Sequence, residues 1–225
     1  MNIRTKLALS TLATLALSGC GGGSNPLLST APTGGVPRAT AVPTAPFTPN
    51  YIPSLETGFH WTKDTLKVFV DAPQTDARVA SVKEGVALWT SFPGSPFRAE
   101  YVASAEGADV TVKFVPQSAL PGDFAGNTTT YHLEPSMELA EAQVELRDDV
   151  KNANLVTLTA HEFGHALGIH GHSAEASDAM FPVAPNPGRV TQPDANTIAE
   201  NYEEGRARSA STTRASQRLV MFSID

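Results

Sequence analysis

Residues 161–172 read HEFGHALGIHGH and hold four of the chain's six histidines. The run before them, NANLVTLTA from Asn152, is apolar at helical spacing. A helix is predicted from Asn152 or Asn154, both natural capping residues, to a stop at Gly168. On that helix His161 and His165 project from one face about one turn apart, a spacing at which two imidazoles can hold one tetrahedral zinc ion. Glu162 lies roughly 100° round the helix from His161. It is a poor ligand there but can reach water on the open side of a metal. Two histidines start such a site without completing it. Gly168 allows the chain to turn back, and His170 or His172 could then supply a third ligand. On H-E-x-x-H alone, a helix with hydrogen-bonded histidines and no metal stays open.

The continuation narrows the reading. HEFGHALG, a histidine followed by Ser173, then Ala179, Met180, an aromatic residue and Pro182 together resemble the metzincin clan of zinc peptidases, and within it the matrixins. The usual pattern is H-E-x-x-H-x-x-G-x-x-H with a methionine turn below the metal. Here the eleventh position is Gly171, with a histidine on either side. In matrixins the third histidine is followed directly by serine and lies eight residues before the turn methionine; His172 satisfies both and His170 neither. Gly171 then reads as a one-residue insertion, absorbed by a residue that tolerates unusual dihedrals, and His170 is expected to point aside or sit at the cleft rim.

The resemblance implies an α/β fold with a twisted, mostly parallel sheet, an antiparallel edge strand, an active-site helix, the Met-turn and a C-terminal helix. It implies one catalytic zinc ion held by His161, His165 and His172, with Glu162 as general base and Met180 as a packed, non-ligating floor. A protein or peptide substrate would lie extended along an edge strand, for which AQVELR (142–147) is the candidate. The loop VAPNPGRV (183–190), including Arg189, would shape the pocket beyond the scissile bond. VTQPDANTIAENY (190–202) is similar to the family's final helix. The turn offers no tyrosine after Met180, only Phe181 and Pro182. The sequence supports neither structural calcium nor a second zinc, and His60 and His132 read as solvent-facing or hydrogen-bonded. Two alternatives remain: a zinc peptidase with a downstream glutamate such as Glu200 as third ligand, and a non-catalytic zinc-binding surface lipoprotein.

Elsewhere the pattern is that of one α/β domain, expected over 55–203. TLKVFVD (65–71) alternates as a half-buried strand. A helix follows from about Asp76 to Trp89, with Asp76 or Thr75 as cap and Val79, Val82, Val86 and Trp89 on one face. FRAEYVA (97–103), ADVTVKFV (108–115), GNTTTYHL (126–133) and AQVELR are further strand candidates, and PDANTIAENY (193–202) is a last helix.

The N-terminus carries an export signal. Arg4 and Lys6 precede an apolar run, Leu7 to Leu17, too short to span a bilayer as a helix. It ends in LSGC, which resembles a bacterial lipobox and implies cleavage after residue 19 and lipidation of Cys20, the chain's single cysteine. Gly21 at the next position favours the outer membrane or cell surface; without lipidation the protein would be secreted. Residues 20–54, rich in Gly, Pro, Ser and Thr, read as a tether, and 204–225 as a basic, flexible tail, with a docked apolar end the less common case. With no cysteine beyond Cys20, latency through a propeptide thiolate is not expected. A net charge of −7 argues against nucleic acid as a partner, and a monomer is expected.

Overall fold

The computed structural model describes residues 48–182, 189–213 and 217–224. The expected signal sequence, Cys20, most of the expected tether and residues 183–188 lie outside the described residues.

A six-stranded sheet carries the domain, in the order β3-β2-β4-β6-β5-β8. β2 (Thr65–Asp71) pairs in parallel with β3 (Arg98–Tyr101) and β4 (Val110–Val115), and β4 pairs in parallel with β6 (Glu138–Arg147). β5 (Gly126–Glu134) is antiparallel to β6 on one side and to β8 (Arg218–Ile224) on the other. The sheet is thus mostly parallel with an antiparallel side, as the resemblance implies. A two-stranded pair, β1 (Leu55–Glu56) with β7 (His170–Gly171), stands apart.

The alternation in TLKVFVD buries Leu66, Val68 and Val70 on one face of β2. Val110, Val112, Ala142, Val144 and Leu146 continue that face across β4 and β6. Against it lie α1 (Ala77–Thr90) and α2 (Asn152–Ala166). Asp76 caps α1 by accepting from the Arg78 amide, and Val79, Val82, Val86 and Trp89 are buried. Each such side chain contributes about 1.5–3 kcal/mol of burial. The Trp89 and Trp61 indoles donate to the carbonyls of Ala160 and Ala166, fastening α2 to its surroundings at 2.7 and 2.9 Å.

α2 starts at Asn152, but neither Asn152 nor Asn154 caps it. Lys151 holds the cap position and no side chain caps it among the described residues; Asn152 instead takes a positive φ of 56°. The other end follows glycine chemistry. Gly168 has φ +111°, its amide bonds to the His165 carbonyl, and the Ile169 amide bonds to the Gly164 carbonyl. That is a Schellman closure.

α3 (Gln192–Ser211) is twice the expected length and begins in a capping box between Thr191 and Asp194. Asn201 accepts from the Gly58 amide and donates to the carbonyls of Phe59 and Gly168, while the Tyr202 hydroxyl donates to the Leu167 carbonyl. The end of α2 is therefore pinned from α3.

Three expectations are corrected. AQVELR lies inside β6, paired on both sides by β4 and β5, so it is no edge. Residues 204–225 are not a free tail: α3 runs to Ser211, and Arg218–Ile224 pair along β5, where Ile224 is buried and Val220 and Phe222 are half-buried. The chain joins the domain before Leu55, since Tyr51 donates through its hydroxyl to Asp194 at 2.7 Å and through its amide to Thr197.

Candidate metal centre

α2 presents His161 and His165, and the turn after it returns His172 to them. The ligand atoms of these three lie within 4.8 Å of one another. The His161 ring stacks on that of His172 with centroids 5.2 Å apart, and His165 stands edge-on to both. Gly171 takes φ +143°, and a Cβ there would lie 2.8 Å from Leu55 Cδ2 and 2.9 Å from the Ser54 carbonyl. The extra residue in the turn thus uses a conformation and a space that suit glycine alone.

The donor chemistry suits a cation. His161 Nδ1 donates to the Ala179 carbonyl at 2.8 Å and His165 Nδ1 to the Ile169 carbonyl at 2.6 Å. A carbonyl only accepts, so each Nδ1 carries the proton and each Nε2 keeps a lone pair. These two Nε2 atoms face each other at 3.3 Å. Desolvation, assisted by the neighbouring His172, pushes His161 down to about 4 against the opposing pull of the Ala179 carbonyl. Burial, with His161 beside it, holds His165 well below its ordinary value. Two neutral lone pairs at this distance cannot bond to each other, whereas a metal ion between them uses both. Anchoring of the far ring nitrogen is the usual support of a metal-bound histidine.

Glu162 is 2% exposed and lies beside the histidines. The Thr128 hydroxyl on β5 sits 2.7 Å from Glu162 Oε2 and 3.0 Å from its carbonyl. Gly126, also on β5, comes so close that a Cβ there would be 2.3 Å from Oε1. The sequence reading singled out neither residue.

Met180 is fully buried and packs beneath the helix at Gly164, where a Cβ would be 2.2 Å from its sulfur. Ser173 has a structural task. Its amide bonds to the Met180 carbonyl and its hydroxyl donates to Asp178, which also accepts from Thr191. Asp194 in turn accepts from the Ala179 amide. The turn that carries Met180 is thereby tied to the third histidine and to the cap of α3. Asp178 and Asp194 were missed because a lone aspartate carries no signal in sequence.

His170 is not at a rim. It is buried, bonds through Nε2 to Thr130 at 3.1 Å, and is sandwiched between Phe59 and Phe222. His60 and His132 are buried too, so neither faces solvent; His60 bonds to the Gly58 carbonyl and to Ser209. Glu200 is not among the residues whose ligand atoms gather at the triad.

A mixed sheet backed by a helix with two inward histidines and an adjacent glutamate, closed by a third histidine, defines a zinc-peptidase architecture. Residues 60–203 match the matrixin family, and the chain belongs to it. Matrixins are zinc-dependent metalloendopeptidases, acting on protein or peptide substrates.

Proposed function

We propose that the chain is an envelope endopeptidase in which His161, His165 and His172 hold one zinc ion and Glu162 is the general base. The facing Nε2 atoms of His161 and His165, each with its Nδ1 committed to a carbonyl, carry this reading. Bound zinc would supply a Lewis acid that acidifies water and polarises a peptide carbonyl. Glu162 then accepts the proton of the attacking water on its carboxylate and delivers it to the leaving amine nitrogen. Thr128 fixes one carboxylate oxygen, and the space above Gly126 leaves room for the other. His161 and His165 stay neutral because they are buried, which preserves their lone pairs for the metal. Met180 packs under the helix and does not ligate. Anchoring through a lipid on Cys20 belongs to the same proposal and rests on the LSGC sequence.

The test is a peptide-library digest by the zinc-loaded protein beside Glu162→Gln. Cleavage reduced at least ~10²-fold with zinc retained supports the role of Glu162. Undiminished cleavage by the variant sinks it. Bound zinc with no turnover by the native chain would instead identify a non-catalytic zinc-binding lipoprotein.

A further inference from the structure

β8 lies where a substrate would have to pair. The first residues of β5 adjoin the proposed general base, through Thr128 at 2.7 Å and through the close approach of Gly126. An extended peptide gains main-chain hydrogen bonds by adding to an open sheet edge. β6 covers one side of β5, so only its outer side could receive a peptide beside Glu162. That side is taken by the chain's own end: Arg218–Ile224 pair antiparallel with Glu134–Thr128 in unbroken register, bringing Ile224 opposite Thr128.

The side chains of β8 divide as those of a bound peptide would. Ile224 is buried on the face that Thr128 and Thr130 present to the site, and Phe222 stacks on His170 at 4.8 Å. Leu219 and Met221 on the opposite face are 57% and 61% exposed. Polar ties run along the strand, from Ser223 to Asn127, Arg218 to Glu134 and Gln217 to Ser136.

We propose that β8 is an intramolecular strap on the peptide-pairing edge, and that its release from β5 is the step that admits substrate. This rests on the endopeptidase reading above. A tethered strand competes at a roughly millimolar effective concentration, so a free substrate present well below that level is excluded while the strap is seated.

The experiment compares the full zinc-loaded chain with a form ending at Thr213, on the same peptide library. Truncation is expected to raise kcat/KM ~10-fold or more, and a synthetic peptide of residues 217–225 should inhibit the truncated form competitively. A second variant keeps the strand in place. Thr129 and Ser223 are register partners with hydroxyl oxygens 3.4 Å apart, so Thr129→Cys with Ser223→Cys allows a cross-link, each single substitution serving as control. Oxidation should silence the double variant and reduction restore it. Equal kcat/KM for full and truncated chains, or an oxidised double variant as active as the reduced one, overturns the strap. If truncation unfolds the domain, the cross-link decides alone. If all forms hold zinc and none cleaves, the endopeptidase reading fails and the strap with it.

Discussion

The Thr128 hydroxyl reaches Glu162 Oε2 across 2.7 Å, from a strand to the helix that carries the histidines. The contact holds the carboxylate in one orientation. Thr128→Val keeps the shape and removes the hydroxyl. We expect kcat to fall ~10-fold or more with KM and zinc content unchanged, because positioning acts on the reacting geometry and not on uniform binding. Steady-state kinetics beside zinc analysis checks this. A rise in KM at constant kcat would refute it.

Gly126 imposes a second constraint on the same carboxylate. A Cβ added there would sit 2.3 Å from Glu162 Oε1 and 2.7 Å from its carboxyl carbon. Gly126→Ala therefore must push the side chain of Glu162 aside or shift β5. We expect loss of most peptidase activity with zinc still bound at one per chain, and destabilisation of about 1–3 kcal/mol from the overpacking. Full activity in the alanine variant would show that Glu162 has room to spare.

These two residues mark the boundary of what the sequence tells. The local signals were legible: alternation placed β2, Asp76 began α1, and Gly168 ended α2. H-E-x-x-H with Ser173 and Met180 placed the family because ligand spacing and turn are encoded within 20 consecutive positions. Partners across the sheet were not legible. AQVELR has the same alternation whether one or both of its sides are paired, so strand order could not be read from it. Thr128 and Gly126 meet Glu162 from more than 30 residues away. RLVMFSI shows a short apolar run, but only the free side of β5 gives it a place.

The two histidines flanking Gly171 should separate cleanly on substitution. His172 lies with His161 and His165, whereas His170 is buried between Phe59 and Phe222 and bonded to Thr130. We expect His172→Ala to lower zinc affinity at least ~100-fold, as loss of a ligand or of its supporting shell does. His170→Ala should keep zinc at one per chain but cost about 2–4 kcal/mol of stability by leaving a cavity between two aromatic rings. Zinc titration and denaturant unfolding of both variants measure the two quantities. Metal loss in His170→Ala with retention in His172→Ala would reverse the assignment.

The buried histidines outside the metal centre set a direction for acid stability. Desolvation holds His60 below its ordinary value, outweighing the Gly58 carbonyl and the nearby Glu138. The same cause lowers His132 despite Glu134 and Glu56. Both imidazoles bind protons more readily in the unfolded chain than in the folded one. Their contribution to stability is therefore fully present above the unfolded value near 6.5 and is lost as pH falls through the lowered folded values. We expect the unfolding free energy of the zinc-free protein to decrease from pH 7.5 towards pH 5. Replacing His60 and His132 together by glutamine should make that slope shallower, whatever it does to stability at pH 7.5. The remainder comes from His161, His165 and His170, which burial also lowers. Denaturant melts across this range check the point, and an undiminished slope in the double variant would show that neither imidazole contributes to it.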